Sequence, residues 1–399
     1  MTRTFRRGIG LTLAVAGLLA ATGARAASAQ LSVETKEGWT FTFAGNVNAF
    51  YVFEREARGG QVTAPGAVVG IGRQGSAVRS GYLPAFAVFG ARRVEGPTTV
   101  GVHFGFAPQI QTTGGQDDSA GLGGRIDMRQ VYLSAEGRWG QVLAGREIGV
   151  FARQNLLSDM SLFGTGATGG NFGNPGRGTV GRSGFGYIYP GFNAQLTWTS
   201  PSARPLQLTV GIFDPSTNNG FDELLLPRLE GEVTWSRAGT LLWSSALVQH
   251  ERDSGIDASA TAWGASAGAR VRAGAFSVLA SGYAGNGIGT SRLFRDGRTA
   301  LAGSTALRGS LGYLGQVTWS RAGRPLTLGF SFGESRLESA DGEPEFETRN
   351  RSASAGVVVQ LTPSLRTVGE VTQAWSLDAD PATRANGATT ASAGLMLFF

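Results

Sequence analysis

The chain has 399 residues, of which 62 are glycine, 10% are aromatic, only 16% are charged and none is cysteine. Average usage is about 7% glycine and about 25% charged residues, so this composition is unusual for a soluble domain. The absence of cysteine excludes disulfide scaffolds, thiolate zinc sites and thiol nucleophiles. Outside the N-terminus, no apolar run approaches the roughly 18 residues of a membrane helix.

The N-terminal residues have the organisation of a bacterial signal peptide. Three arginines precede a long apolar stretch, and small residues follow it, which is the order of a segment that is removed on export. We therefore expect 1–29 to be a signal peptide, cleaved after Ala26 or Ala29, and 30–399 to be the mature domain. Loss of its four arginines leaves 31 of the 35 basic residues against 29 acidic ones. The resulting net charge of about +2 gives no reason to expect nucleic acid as a partner.

From residue 30 onward, apolar and polar side chains alternate, with interruptions by Gly, Ser, Asp, Asn and Pro. Alternation with a period of two is the signature of half-buried β-strands. We predict sixteen of them. The predicted strands are 39–54, 80–92, 98–110, 124–137, 141–146, 181–199, 206–213, 227–236, 241–251, 260–271, 275–283, 308–319, 325–336, 349–361, 365–377 and 388–399.

Three properties of these segments indicate a transmembrane barrel. Most reach the nine to eleven residues that a tilted strand needs to cross a bilayer. Their polar faces carry rows of charge, such as Arg228, Glu230 and Glu232 opposite Leu229 and Val233. Short and long connections also alternate, as expected for periplasmic turns and outer loops. The predicted fold is all-β, an antiparallel barrel of 16 strands with an aqueous lumen.

One predicted strand contains an interruption. The residues Tyr189, Pro190, Gly191 and Phe192 lie inside the segment 181–199 and could form a turn. A turn would make the strand count odd, whereas both ends of such a barrel lie on the same side. We therefore interpret these residues as a bulge within one long strand, because proline and glycine inside strands mark bulges.

Two regions of the sequence resemble the general porins of Gram-negative bacteria. Apolar residues at alternate positions end in Phe399, like the terminal strand that barrel-assembly machinery recognises in these porins. The segment with Gly145-Arg146, Asp159-Met160 and Phe163-Gly164 resembles the start and tip of their third loop. The resemblance implies a homotrimer in the outer membrane, in contact with its lipid and lipopolysaccharide.

The same resemblance implies that the third loop, about 147–180, folds inward and narrows the pore. Its tip would carry the loop motif Phe163-Gly164. The pore constriction residues implied by motif position are the acid Asp159, the wall residues Arg129 and Arg182, and the loop residues Arg146 and Arg153.

The resemblance implies passive diffusion of small hydrophilic solutes and ions. The second acid of the porin loop is replaced by Leu162, while several arginines remain in or beside the loop. We therefore expect weak selectivity with a lean toward anions, because clustered charge in a narrow opening sets ion preference. A substrate-selective porin is the alternative, and an outer-membrane barrel enzyme or adhesin is a more distant one.

Catalysis has little support in the sequence. The only imidazole bases are His103 and His250, and neither has a nucleophile and orienting acid that the predicted topology brings within hydrogen-bond reach. A glycine-rich run over 164–181 lacks the Gly-Lys-Ser/Thr ending of a phosphate loop. We expect no enzymatic activity, no cofactor and no resident metal.

Overall fold

The computed structural model describes residues 31–56, 65–67, 74–110, 126–168, 179–202, 205–216, 219–222, 226–378 and 386–399. The predicted signal peptide over 1–29 lies outside these residues. Among the residues described, no helix is both long and apolar enough to span a bilayer.

The described residues form one continuous antiparallel sheet with very little helix. Its strands are β1 Leu31–Glu34, β2 Trp39–Glu56, β3 Gln74–Arg79, β4 Phe86–Glu95, β5 Thr98–Pro108, β6 Ile126–Gly137, β7 Gly140–Ile148, β8 Phe192–Thr199, β9 Leu206–Phe213, β10 Arg228–Arg237, β11 Thr240–Asp253, β12 Ala258–Ala273, β13 Phe276–Asn286, β14 Gly309–Ser320, β15 Leu326–Glu338, β16 Glu347–Gln360, β17 Leu365–Asp378 and β18 Asn386–Phe398.

The sheet closes on itself because β18 pairs with β2. β3 pairs with the C-terminal half of β2, and β4 pairs with its N-terminal half. These two strands therefore occupy one position around the barrel. The short β1 pairs with residues 40–43 at the start of β2, whereas the pairing of β18 with β2 ends at Asn46. β1 therefore continues the edge beyond the end of β18 and adds no further position. The barrel therefore has sixteen strand positions, and the predicted fold class is confirmed.

Connections differ in length between the two ends of the barrel. At one end, seven turns of two to six residues join neighbouring strands, and both termini of the barrel sheet lie there. At the other end, the connections range from four residues between β11 and β12 to 43 residues between β7 and β8. We refer to these as the short-turn end and the long-loop end.

The two faces of each strand differ in chemistry, as β10 illustrates. Leu229 and Val233 point outward and are 49% and 39% exposed, whereas Arg228, Glu230 and Glu232 point inward and are at most 4% exposed. An apolar outer face around a charged interior inverts the pattern of a soluble barrel and is the arrangement of a transmembrane one.

The prediction of a single strand over 80–92 is wrong. The chain leaves the sheet after β3 and returns at β4. Between these strands, asparagine side chains of β2 make the hydrogen bonds to the backbone that a neighbouring strand would otherwise make. Asn48 accepts the Gly81 N–H at 2.8 Å and donates to the Leu83 carbonyl at 3.0 Å, and Asn46 donates to the Pro84 carbonyl at 3.1 Å. Pro84 has no N–H to offer the sheet, which accounts for the break.

The bulged strand predicted over 181–199 is also wrong, because β8 begins only at Phe192. Its partner β7 ends at Ile148, which is paired with Phe192, so the preceding residues have no strand edge to join. Gly191 turns the chain there with a φ of 72°. Tyr187 and Ile188 are instead fully buried in the barrel interior.

Candidate pore lining

The long connection between β7 and β8 crosses the interior of the barrel. We call its described residues, 149–168 and 179–191, the inner segment. It contains a short helix, α1 (Arg153–Ser158), followed by a 3-10 turn at Met160–Phe163. Hydrogen bonds join it to inward-facing residues of strands from β10 to β17.

The start of the inner segment is hydrogen-bonded to a carboxylate of β10. Glu230 accepts the backbone N–H groups of Val150 and Phe151 at 2.8 and 2.9 Å. Its other oxygen accepts from Arg228 Nε at 2.7 Å, and both side chains are almost fully buried. Charged acceptors give the stronger hydrogen bonds in proteins, so this pair fixes the point where the chain leaves the wall.

The helix α1 and the turn after it are held by polar side chains further around the barrel. Asn155 donates to Ser266 Oγ at 3.0 Å and accepts from Trp243 Nε1 at 2.7 Å. The backbone N–H of Met160 donates to Gln316 Oε1 at 2.7 Å. These contacts attach successive parts of the segment to β11, β12 and β14.

The predicted loop motif contacts the far wall. Phe163 is 9% exposed and packs against Val368 and Met396. Gly164 leaves room for a neighbouring carboxylate, since a Cβ on it would lie 2.5 Å from Glu370 Oε2. The Glu370 carboxylate in turn accepts the Gly166 N–H at 2.5 Å. Among the described residues, the inner segment therefore lies along the β10–β18 side of the lumen and leaves a cavity beside β4–β9.

An elongated cavity of about 670 Å³ remains between α1 and strands β4–β9. Its lining is mostly polar side chains and glycines of the strands, together with three residues of α1. The charged or aromatic polar members are Arg92, His103, Arg129, Tyr132, Glu147 and Arg153, and the amide members are Gln130, Gln141, Gln154, Gln195 and Gln207.

Arg129 reaches the cavity because of a β-bulge. In the pairing of β5 with β6, Gly105 faces Gln130 and Phe106 faces Met128, so Arg129 is the extra residue. A bulge redirects a side chain that strict alternation would place elsewhere. The Arg129 guanidinium pairs with Asp127 at 2.8 Å and lies 5.4 Å from the Phe192 ring centroid.

The acid of the cavity is held tightly by its neighbours. Glu147 accepts two hydrogen bonds from Gln130 at 2.8 and 3.0 Å and one from the Ile148 N–H at 2.8 Å. Beside it, His103 and Tyr132 stack with ring centroids 4.7 Å apart and an interplanar angle of 11°. The wall thus offers a flat ring pair next to a carboxylate whose hydrogen-bonding capacity is largely used.

Arg153, predicted as a loop arginine of the constriction, does line the cavity. Its guanidinium pairs with Glu232 at 2.7 Å, which positions it at the edge of α1. Arg129 and Arg153 are the two predicted basic residues that the fold brings to the same opening.

Asp159 and Arg182 belong to the inner segment, but their side chains do not line the cavity. Asp159 accepts from Tyr187 Oη at 2.7 Å and from the Ser161 N–H at 2.9 Å, and burial raises the pKa of this carboxyl above its usual value. Arg182 is fully buried and donates to the Ser331 and Ser352 carbonyls at 2.6 and 2.7 Å. The expectation that Arg182 stands on a strand is wrong, because it precedes β8.

Arg146 faces away from the pore. It is exposed, whereas its neighbour Glu147 is buried inside the barrel. Successive side chains of a strand point to opposite faces. Arg146 therefore lies on the outer face of the wall, and Glu147 lies on the inner face. In the register, Arg146 lies between Val131 and Ala194 on the outer face.

Several lining residues were not singled out from the sequence as pore residues. Arg92, Gln130 and Glu147 occupy the polar face of their strands, so alternation alone could have assigned them to the lumen. Alternation gives no information about which lumen residues face the cavity and which are covered by the inner segment.

Comparison with known proteins identifies the architecture. No protein-family model matches the sequence, and no curated protein matches it. Solved structures do match. The outer membrane channel DcaP of Acinetobacter baumannii has a TM-score of 0.67 and 13% identity, over 92% of this chain and 99% of the other. The chain has the fold of outer-membrane porins.

Two further porins have the same fold. The anion-selective porin from Comamonas acidovorans has a TM-score of 0.62 and 14% identity, over 90% of this chain and 100% of its own. OmpF of Salmonella typhi, in complex with daunomycin, has a TM-score of 0.58 and 10% identity, over 92% and 100%. At these identities the likeness concerns the fold.

Proposed function

We propose that this protein is an outer-membrane channel for passive diffusion of small hydrophilic solutes and ions. The observation that carries the proposal is the cavity of about 670 Å³ between α1 and β4–β9, whose lining includes charged and amide side chains. A sixteen-position barrel is wide enough for an aqueous lumen, and the inner segment narrows this one without filling it. In this proposal the inner segment is the constriction, as the predicted loop 147–180 implies.

We further propose a weak preference for anions. The cavity lining carries Arg92, Arg129 and Arg153 and one acid, Glu147. The carboxylates of Asp127 and Glu232 pair with Arg129 and Arg153 but are not part of the lining, so guanidinium groups outnumber carboxylates at the cavity surface itself. Glu147 is already engaged by Gln130. Charge placed along a narrow, low-dielectric opening sets the local ion concentration. The excess of guanidinium groups therefore favours anions in the opening.

The test is a planar bilayer measurement with purified, refolded protein. A tenfold KCl gradient gives a reversal potential whose sign reports the preferred ion. The proposal predicts stepwise, near-ohmic currents with a small reversal potential in the direction of chloride. Strong cation selectivity would contradict the anion preference, and absence of any conductance from a correctly folded barrel would contradict the channel.

A substrate-selective pore is the second candidate, and one observation favours it. The stacked rings of His103 and Tyr132 line the cavity, and flat ring surfaces of this kind bind the apolar faces of planar or cyclic solutes. Titrating the open channel with a sugar series separates the candidates. Concentration-dependent block that is lost in Tyr132→Ala supports a solute site, and unchanged current supports general diffusion.

The positions of the two histidines do not support an enzymatic role. His103 lies on the inner face and is 7% exposed, whereas His250 is exposed and its Nδ1 lies 3.0 Å from Thr261 Oγ1. These residues therefore stand on opposite faces of the wall and cannot act together. We propose that the protein is not an enzyme, and hydrolysis assays on ester and peptide substrates test this.

Export, assembly and oligomeric state form the last part of the proposal. We propose that 1–29 is cleaved as a signal peptide, that Phe399 is read by barrel-assembly machinery, and that three copies associate. Mass determination of the mature N-terminus tests the first, and native mass spectrometry of the extracted protein tests the last.

A further inference from the structure

The lumen wall carries two arginines on the inward face of one strand, β12. Arg270 is paired directly with Leu279 of β13, and Leu279 packs against buried residues of the inner segment. Residues directly opposite each other on antiparallel strands point to the same face of the sheet, so the Arg270 side chain faces the lumen. Arg272 is two residues further along β12 and therefore faces the lumen as well.

These arginines lie between the inner segment and the short-turn end of the barrel. Leu279 is also paired with Gln316 of β14, and Gln316 donates to the Ser158 carbonyl at the end of α1 at 3.1 Å. This row of paired residues places Arg270 at the level of the inner segment. Arg272 lies about 7 Å closer to the turn that joins β12 to β13. A solute that enters from the short-turn end therefore reaches Arg272 first.

Hydroxyl groups extend the arginine pair across two further strands. Ser277 of β13 is paired with Arg272, and Thr318 of β14 is paired with Ser277. All four side chains belong to partly exposed residues, and neighbouring strands are only about 4.8 Å apart. They therefore form one group of hydrogen-bond donors on the lumen wall. We call Arg270, Arg272, Ser277 and Thr318 the basic patch.

The strands of the basic patch supply no carboxylate to neutralise it. Strands β12, β13 and β14 contain no Asp or Glu, and the acids of the adjacent β11 lie at its long-loop end. On β10, Glu232 is already paired with Arg153 at 2.7 Å. Among the described residues, Arg270 has neither a hydrogen-bond partner nor an ion-pair partner. Its guanidinium donors are therefore available to a solute.

Exposed arginines at the turns add positive charge to the same end of the barrel. Arg237 precedes the turn between β10 and β11, and Arg321 and Arg324 lie in the turn between β14 and β15. None of the three turns between β10 and β15 at this end contains an acid. Charges of one sign around an entrance raise the local concentration of the opposite ion, so this side of the barrel attracts anions toward the basic patch.

We propose that the basic patch binds small phosphate anions that carry two or more negative charges, such as pyrophosphate. Guanidinium groups recognise phosphate oxygens through charge-assisted hydrogen bonds, and serine and threonine hydroxyls are further donors. A donor group without a carboxylate suits a ligand that only accepts hydrogen bonds. The proposal rests on the proposed channel function, because the water-filled lumen gives access to the patch, and it adds an anion site outside the cavity along β4–β9.

Block of the chloride current in planar bilayers tests the site in the purified, refolded barrel. Pyrophosphate should block the wild type with a half-blocking concentration that differs between the two sides of the membrane, since the patch lies on one side of the inner segment. Arg270→Gln/Arg272→Gln should raise that concentration at least about tenfold, because two charged donors are lost. The matched control Arg321→Gln/Arg324→Gln removes two arginines of the same end and should raise it less than about threefold. An equal rise in both double variants would overturn the proposal.

A milder variant keeps the test independent of any folding defect in the double variant. Thr318→Val retains the shape of the side chain and removes one hydroxyl donor, so it should raise the half-blocking concentration by about fivefold. Malonate, which has fewer charges and fewer acceptor oxygens than pyrophosphate, should block more weakly. Block of equal strength by malonate would overturn the assignment to phosphate.

Calorimetric titration of the detergent-solubilised barrel with pyrophosphate separates the site from the channel. Binding to the wild type that is lost in Arg270→Gln/Arg272→Gln supports the site, even for a barrel that conducts no ions. Normal conductance without pyrophosphate binding would overturn the site and leave the proposed channel function intact.

Discussion

The Glu230 carboxylate of β10 accepts the backbone N–H of Phe151 at 2.9 Å, inside the barrel. One inward side chain of the wall thereby fixes the point at which the inner segment crosses the lumen. We expect the size of the opening along β4–β9 to depend on this attachment, because the described residues that follow Phe151 are hydrogen-bonded to β11, β12, β14 and β17. The same carboxylate is paired with Arg228, so its own orientation is also fixed.

Replacing Glu230 by alanine should loosen the inner segment. The change leaves the N–H groups of Val150 and Phe151 and the Arg228 guanidinium without their acceptor, at about 1–3 kcal/mol for each unsatisfied buried group. We expect single-channel current with more noise and a larger mean conductance. Ser245→Ala, which removes one neutral hydrogen bond to Ala152, should have a smaller effect. Identical traces for wild type and Glu230→Ala would mean that this attachment does not control the opening.

Arg129 and Arg146 allow a matched test of ion preference. Both are strand residues, but Arg129 lines the cavity and Arg146 lies on the outer face. A unit charge about 4 Å from an ion contributes about 1 kcal/mol in water, attractive for chloride and repulsive for potassium. Arg129→Gln should therefore lower the chloride-over-potassium permeability ratio by at most about thirtyfold. Arg146→Gln should leave the reversal potential unchanged. A shift of equal size in both variants would place the selectivity elsewhere.

Asp159→Asn should have little effect on selectivity, in contrast to what the porin resemblance implies for this position. Asp159 is 3% exposed, and its carboxylate accepts a hydrogen bond from Tyr187 within the inner segment. The substitution instead removes a charge near the buried Arg182, so we expect lower thermal stability with an unchanged reversal potential. A clear change of reversal potential in Asp159→Asn would show that this carboxylate faces the permeating ions.

An ion pair at the long-loop end should make local stability dependent on pH. Glu343 accepts two hydrogen bonds from Arg308 at 2.6 and 3.0 Å, and both side chains are about 5% exposed or less. Burial alone would raise the pKa of Glu343, but Arg308, Thr299 and the Ala340 N–H lower it to about 2.

Because the folded pKa is below the ordinary value of 4.5, this contribution is complete above about pH 4.5 and is lost as the pH falls toward about 2. We expect Glu343→Gln to reduce hydrogen-exchange protection of 339–346 at pH 7, since breaking a buried pair costs about 3–5 kcal/mol. The difference from wild type should shrink on acidification through this range. Glu95→Gln, at an exposed pair, is the control, and a difference that is constant with pH would contradict the assignment.

The last residue closes the sheet through Gly45. Phe399 and Gly45 exchange backbone hydrogen bonds at 2.7 and 3.0 Å, and the Phe399 ring lies 5.2 Å from that of Phe43. Aromatic pairs contribute about 0.5–1.5 kcal/mol beyond their buried area. Phe399→Ala should therefore lower the yield of heat-modifiable, folded barrel, and Leu397→Ala should lower it less. Equal yields for the two variants would remove the special role of the terminal ring.

Local alternation was sufficient to predict the barrel wall. Inward Arg228, Glu230 and Glu232 and outward Leu229 and Val233 follow from period two, because a strand in a membrane must show lipid an apolar face. The bounds of most strands followed for the same reason. The strand predictions failed near Pro84 and near Gly191. Near Pro84, asparagine side chains of β2 take over the hydrogen bonds of the backbone. Near Gly191, strand pairing cannot extend further because the neighbouring strand β7 ends.

The arrangement of the pore was decided by tertiary structure. The bulge that turns Arg129 inward depends on its pairing with β5, and nothing in the sequence around Arg129 marks it. The burial of Asp159 and Arg182 depends on the path of the inner segment, which is set by hydrogen bonds to residues as distant in sequence as Glu370. Strand periodicity is a property of neighbouring residues and can be read along the chain, whereas the opening is formed by residues that meet only when the barrel closes.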